Sequence, residues 1–228
     1  MENMNLSSSW TRFGSLLIRS APSCANANSK RVFLFDLDST LIVTKSGNTF
    51  AKSATDWAWL DESVPLKLQE LHRNGVRLVI VTNQAGIHAR GRQFSEKKAA
   101  TLMTKIDDVV AASGVPLLVF VATTNDAFRK PNRDIWDLFV SDHCKEGVDL
   151  AECAFVGDAA GRKAGWNGGG AKKDFSNSDR QFAANCGLAF HTPEALFLGQ
   201  AEATEWVEDA QVEVAEVEGE AAESNNRQ

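Results

Sequence analysis

No stretch of this sequence approaches the roughly 18 consecutive apolar residues that a membrane-spanning helix needs, so the chain is expected to be soluble, with no membrane partner. Cysteine is scarce. Cys24, Cys144, Cys153 and Cys186 stand far apart, and none lies near another cysteine or a histidine at zinc-ligand spacing. That argues against a zinc module and a disulfide framework, and it fits a reducing intracellular compartment. No internal repeat is present. The glycines at Gly165, Gly168, Gly169 and Gly170 lead into Ala171-Lys172-Lys173, not into a lysine followed by Ser or Thr. They form a glycine loop, not a nucleotide-binding P-loop.

Basic residues are missing from one long stretch. Between 202 and 223 there are nine acidic residues and no Lys or Arg. The net charge of −6 is therefore a poor average: leaving out this stretch and Arg227, the chain carries 23 basic and 21 acidic residues, close to +2. A polyanionic substrate is compatible with that body. The acidic segment, 201–228, reads as a disordered tail. Residues 1–29 are rich in Ser, Asn and Ala, with Arg12 and Arg19 against the single acid Glu2, and read as a flexible arm. The weakly amphipathic stretch 7–19 leaves a mitochondrial targeting segment open. One domain, 30–200, lies between arm and tail, and an apolar content of 43% is enough for a core.

Within that domain Val32-Phe33-Leu34-Phe35 is a continuous apolar run, as a buried parallel strand requires. Similar runs stand at 77–81, 117–121 and 154–156. Helical stretches separate them, one from the cap candidate Asp61 to Gly75, one from the cap Ser95 to Gly114, and one over 134–143. Lys97, Lys98 and Lys105 are read on the polar side of the second. Thr192-Pro193-Glu194 starts a further helix. Alternating strand and helix predicts an open parallel sheet covered by helices, with the site beyond the carboxyl ends of the strands.

The polar residues gather at those ends. Asp36 and Asp38 follow the first strand, two residues apart. One carboxylate can attack phosphorus while the other protonates the leaving oxygen and then activates water. A carboxylate repels a phosphate dianion, and a hard cation such as Mg²⁺ between them cancels the repulsion. Thr82 and Asn83 end the second strand, with a hydroxyl and an amide for phosphate oxygens. Lys130 follows the third and can steady charge at the transferring group. Asp158 ends the fourth and is a third oxygen ligand.

Four such signals, each closing a successive strand, resemble the haloacid dehalogenase superfamily of phosphotransferases. Finer detail lies in Ser46-Gly47, Asp56-Trp57, Thr82-Asn83-Gln84-Ala85-Gly86-Ile87, Arg129-Lys130-Pro131, and Gly157-Asp158-Ala159-Ala160-Gly161-Arg162 with Lys173-Asp174-Phe175-Ser176, Asp179-Arg180 and Thr192-Pro193-Glu194. Over about residues 31–198 these are similar to the 3′-phosphatase domain of the polynucleotide kinase 3′-phosphatase family. The resemblance implies a Rossmann-like three-layer α/β/α parallel sheet without a large cap domain. It implies Asp36 as nucleophile, Asp38 as general acid and base, Thr82 and Lys130 on the phosphoryl group, and Mg²⁺ held by Asp36, Asp38 and Asp158. The implied reaction is hydrolysis of a 3′-terminal phosphate on DNA to a 3′-hydroxyl, in repair, by a nuclear monomer whose acidic tail meets repair proteins.

The chain departs from the family's pattern in three places. Ser39 replaces the usual glycine, Asn132 to Trp136 lacks the Gly-Met that often precedes the tryptophan, and no second acid stands between Ala159 and Arg162. Asp174 and Asp179 are the candidates for that acid, with Asp174 preferred. Arg129, Arg162, Arg180 and Lys173 are the nucleic-acid contacts expected first, then Arg90, Arg92 and Lys172. Trp57 and Trp59 are read mainly as packing residues. The alternative function is a small-molecule phosphatase of the same superfamily, of the histidinol- or sugar-phosphate type, although the Cys/His zinc loop of several of those is missing. A non-catalytic repair module is disfavoured by the intact acidic and lysine set.

Overall fold

The structure is a computed structural model that describes residues 3–5, 9–21, 26–88, 93–203 and 206. The chain opens with β1 (Asn3–Asn5), β2 (Trp10–Phe13) and β3 (Leu16–Arg19), and β4 (Val32–Phe35) is the first core strand. A small two-stranded ribbon, β5 (Ile42–Val43) with β6 (Ala58–Trp59), precedes α1 (Ser63–Arg73) and β7 (Arg77–Asn83). Then come α2 (Glu96–Ser113), β8 (Leu118–Ala122), α3 (Asp134–His143), β9 (Ala154–Val156), α4 (Ser178–Cys186), β10 (Ala189–His191) and α5 (Pro193–Leu198). The main sheet runs β1-β2-β3-β8-β7-β4-β9-β10, and its last five strands are mutually parallel.

This is the expected α/β fold, a mostly parallel sheet between two helical layers. One core cluster joins the sheet to α1, α2 and α5 through Leu68, Ile106, Val109 and Phe197. The other joins it to α3 and α4 through Ile135, Phe139, Phe182 and Ala183. Leu34 and Phe35 on β4 are fully buried, each worth about 1.5–3 kcal/mol over an exposed position. Helix ends follow their caps. Ser95 accepts from the Lys98 N–H and Gly114 closes α2 at φ 68°, while Thr192 accepts from Ala195 N–H ahead of Pro193. Helix α1 begins two residues after Asp61, whose carboxylate still accepts the Ser63 N–H at 2.8 Å. Among the described residues the insertions at the carboxyl ends contain the β5–β6 ribbon, one 3-10 turn (Ala85–Ile87) and irregular loops, with no cap domain.

The flexible arm expected over 1–29 does not hold for 9–21. Strands β2 and β3 form an antiparallel hairpin that pairs with β8 and extends the sheet. Trp10, Leu16 and Leu17 are buried, and Gly14 turns the chain at φ 60°. The hairpin covers what would be an open β8 edge, and the Trp10 indole donates to Asp107 at 3.1 Å. It also braces the loop after β8: the Thr123 N–H donates to the Ser15 carbonyl at 3.2 Å, Ser15 bonds Asp126, and Phe13 packs edge-on against Phe128. The acidic stretch beyond 206 lies outside the described residues, as do Arg90 and Arg92.

Candidate active site

Strands β4, β7 and β9 each deliver a polar residue as they end, and the loop after β8 delivers another. Asp36 leaves β4 with its N–H bonded to the Val156 carbonyl at 2.9 Å, and its carboxylate points at the loop after β8. There Lys130, 2% exposed, donates to Asp36 Oδ1 at 2.7 Å and to Asp179 Oδ1 at 2.7 Å. Asp158 follows β9, and its N–H donates to the Thr40 hydroxyl at 3.1 Å. Asp36, Asp158 and Asp179 each present an oxygen, all within 4.8 Å of one another.

Three carboxylates around one ammonium do not ionise freely. Burial, with the neighbouring Asp179 and Asp38 charges, lifts Asp36 to about 7 against the pull of Lys130. Burial and the Asp36 and Asp179 carboxylates lift Asp158 to about 8. Burial lowers the Lys130 ammonium, but Asp179 and Asp36 outweigh it, so its pKa stands above the ordinary lysine value. The donor set is all carboxylate oxygen, and it carries more negative charge than Lys130 balances. That chemistry fits a hard divalent cation.

Asp179 is the acid missing from the 159–162 segment. It sits in the first turn of α4, 2% exposed, and also accepts the Ala159 N–H at 3.1 Å. A Cβ on Gly157 would come within 2.7 Å of the Asp179 Cβ, so the approach depends on glycine there. The preference for Asp174 is corrected. Asp174 accepts from Arg162 Nε at 2.9 Å and from the Arg162 N–H at 2.9 Å, outside the cluster.

Arg162, expected as a nucleic-acid contact, is held inside the protein. It is 4% exposed, bonded to Asp174, to Glu194 at 2.8 Å and to the Asp158 carbonyl at 3.3 Å, with its guanidinium 3.8 Å over the Trp166 ring. It ties the Asp158 loop to α5. Arg180 donates from Nε to the Ala160 carbonyl at 2.8 Å, bracing the same loop. Asn83 turns away from a phosphate role too: its Nδ2 donates to the Lys130 carbonyl and its Oδ1 accepts the Lys130 N–H, both at 3.1 Å. It clamps the backbone that carries the lysine. Thr82, 1% exposed, ends β7 with its hydroxyl 3.2 Å from Gln84 Nε2.

The Asp38 carboxylate stands apart from the other three. Its Oδ2 accepts from Gln84 Nε2 at 2.6 Å and its Oδ1 from Lys105 Nζ at 3.0 Å. Ser39, next in the chain, has φ 61°, the left-handed conformation that explains a glycine preference at this turn.

Of the surface candidates, Lys172 and Lys173 are exposed on the loop between Asp158 and Asp179. Arg129 is distinctive because its Nη1 is buried with no hydrogen-bond partner. Trp57 and Trp59 pack edge-on at 5.3 Å against the core. Two aromatics not expected as nucleic-acid contacts are open to solvent, Phe50 at 82% and Phe175 at 84% exposed. Phe175 lies between residues whose backbones are pinned to the Asp158 loop, Asp174 N–H to the Arg162 carbonyl and Ser176 carbonyl to the Gly161 N–H, each at 3.0 Å.

Comparison with known proteins agrees with this geometry. The family model for polynucleotide kinase 3 phosphatase matches residues 31–197. A bifunctional polynucleotide phosphatase/kinase of Schizosaccharomyces pombe is 38% identical over 171 residues, covering 75% of this chain and 38% of that protein. Polynucleotide 3′-phosphatase ZDP of Arabidopsis thaliana is 31% identical over 209 residues, covering 85% of this chain and 28% of that protein. This chain thus spans well under half the length of either relative. Among solved structures, a HAD-like phosphatase from Mesorhizobium loti superposes with a TM-score of 0.58 over 78% of each chain at 18% identity, a likeness of fold.

Proposed function

Because the chain belongs to the polynucleotide kinase 3 phosphatase family, we propose that it is a polynucleotide 3′-phosphatase, hydrolysing a 3′-terminal phosphate through an aspartyl-phosphate on Asp36. The observation that carries the chemistry is the buried Lys130 bridging Asp36 and Asp179 beside Asp158. Asp36, Asp158 and Asp179 would hold Mg²⁺, which when bound supplies charge that lets a carboxylate approach a phosphate dianion.

In the first step an Asp36 oxygen forms a bond to phosphorus while the bond from phosphorus to the 3′-oxygen breaks, and Asp38 gives that oxygen its proton. In the second, Asp38 takes a proton from water as the water oxygen bonds to phosphorus. The aspartyl-phosphate bond breaks, releasing phosphate and restoring Asp36. Lys130 stands 2.7 Å from the attacking carboxylate and neutralises charge on the transferring oxygens, and the Thr82 hydroxyl donates to one of them.

Strand recognition follows from the rim. Half-buried Arg129 adjoins Lys130 in sequence, and its guanidinium would contact a backbone phosphate of the substrate. Phe50 and Phe175 offer stacking faces for unpaired terminal bases, and exposed Lys173 adds a sequence-independent phosphate contact. We read DNA ends in nuclear repair as the setting, with the acidic tail as a contact for repair proteins.

Phosphate release from a 3′-phosphorylated oligonucleotide, against p-nitrophenyl phosphate and sugar phosphates, with and without Mg²⁺, tests the reading. A magnesium-dependent preference for the oligonucleotide supports it. Equal or better turnover of the small esters overturns it in favour of a small-molecule phosphatase.

A further inference from the structure

Lys105 is the one residue near the site whose position contradicts its expected place on the polar side of its helix. It lies on the core side of α2, 6% exposed, with buried Leu102, Ile106 and Val109 as helical neighbours. Burying an ammonium among aliphatic side chains costs several kcal/mol unless a partner compensates it. Its one hydrogen-bond partner among the described residues is Asp38 Oδ1, at 3.0 Å and 67 residues away in sequence. A leucine or methionine here would pack without that cost, so the charge serves the contact.

The second oxygen of Asp38 is held as well. Gln84 Nε2 donates to Asp38 Oδ2 at 2.6 Å and reaches the Thr82 hydroxyl at 3.2 Å, so one amide links Asp38 to the end of β7. Gln84 is fixed in turn by its N–H on the Ala122 carbonyl at 2.7 Å. The result is a two-point berth, one oxygen on α2 and the other on the turn after β7. It holds Asp38 clear of the Asp36, Asp158 and Asp179 oxygens although Asp38 is only two residues from Asp36.

We propose that Lys105 and Gln84 are positioning residues that hold the Asp38 carboxylate at the place where the leaving oxygen departs and water arrives. The inference rests on the reading of Asp38 as the proton-transfer group. Neither residue touches the phosphate in this account. Lys105 acts through Asp38 alone, and Gln84 acts through its shorter bond to Asp38 as well as through the Thr82 hydroxyl, so Lys105 carries the cleaner test.

The test measures KM and the rate of leaving-group release in the first turnover, ahead of the dephosphorylation that all substrates share, for Asp38→Asn, Lys105→Met, Gln84→Leu and the double variant Lys105→Met/Asp38→Asn. Two substrates are used: a 3′-phosphorylated oligonucleotide, whose alkoxide must be protonated to leave, and p-nitrophenyl phosphate, whose phenolate leaves unaided. Lys105→Met is expected to lower that first-turnover rate on the oligonucleotide by on the order of 10- to 100-fold, the scale of a misplaced catalytic group. KM should hold, and the loss on p-nitrophenyl phosphate should be much smaller. Gln84→Leu should repeat the pattern more weakly, and it keeps the test open should the Lys105 variant fold poorly. The double variant should be no slower than Asp38→Asn alone. Multiplying losses in the double variant, a loss confined to KM, or equal losses on both substrates from the Lys105 and Gln84 variants would overturn the positioning role. An Asp38→Asn enzyme that loses equally on both substrates would instead remove Asp38 as the proton-transfer group.

Discussion

The two ends of the same parallel sheet both gather polar side chains and use them in opposite ways. At the amino ends, Arg77 donates from Nη1 to the carbonyls of Ala27 at 2.8 Å and His143 at 2.5 Å, and Arg31 donates to the Asn74 carbonyl at 2.9 Å. Asn26 spends its amide on the carbonyls of His72 and Val76. Every one of these side chains closes a loop by satisfying backbone. At the carboxyl ends, the four carboxylates of Asp36, Asp38, Asp158 and Asp179 meet two ammonium groups among the described residues, Lys105 and Lys130, and protons held on Asp36 and Asp158 stand in for the missing positive charge. The difference teaches where to look: a structural end balances its polar groups internally, and a working end leaves a charge for something else to complete.

Removing the central cation should show the contrast most strongly. Lys130→Met is expected to slow turnover by about 10²–10³-fold, as losing a preorganised donor does. It should also cost about 3 kcal/mol of stability in EDTA, because a buried partner is deleted. Arg31→Met at the other end should leave turnover unchanged. Melting curves and initial rates check both, and an active Lys130→Met enzyme would erase the distinction.

A narrower comparison sets Asp179 against Asp174, two acids five residues apart. Asp179→Asn should weaken Mg²⁺ binding by about 10- to 100-fold, the range found when a metal's supporting groups are removed. Asp174→Asn strands the buried Arg162 instead, so it should lower the melting temperature while leaving Mg²⁺ affinity near wild type. Isothermal titration of both variants separates the roles, and equal affinity losses would mean that Asp174 shares the site.

The charge imbalance also sets a pH dependence. In the metal-free protein Asp36 titrates near about 7 and Asp158 near about 8, both above the ordinary 3.8. The folded state therefore holds protons that the unfolded chain releases. Stability should be greatest at low pH on this account and fall as pH rises from about 4 through about 8. Mg²⁺ must displace those protons, so its affinity should climb over the upper part of the same window. Melting in EDTA and titration calorimetry in two buffers report each effect, and flat profiles would contradict them. The smallest change is at the turn after Asp38. Ser39→Gly should stabilise by up to about 1 kcal/mol by relieving the left-handed φ of 61°.

The core of this contrast was legible from sequence, because buried parallel strands are unbroken apolar runs and the residue ending each run is polar. Asp36, Thr82 and Asp158 are found that way, and Lys130 follows in the loop after the third run. The N-terminal hairpin was missed because Ser and Arg among its apolar residues read as an arm, although Gly14 between two short apolar segments is a hairpin signal. Lys105 was missed for a similar reason: its charge suggested the polar face, while its spacing from Leu102 and Val109 put it on the apolar one. The preference for Asp174 over Asp179 fails because the loop before α4 decides which acid returns to the cluster, and sequence does not show that loop's path. Arg162 looked like a strand contact because sequence does not show that Asp174 and Glu194 fold around it.

The most direct measurement is to quench the enzyme in acid during turnover of a 3′-phosphorylated oligonucleotide and map the modified peptide by mass spectrometry. The account predicts phosphate on Asp36, with no adduct in the Asp36→Asn variant. Phosphate on any other residue, or full turnover by that variant, would contradict it.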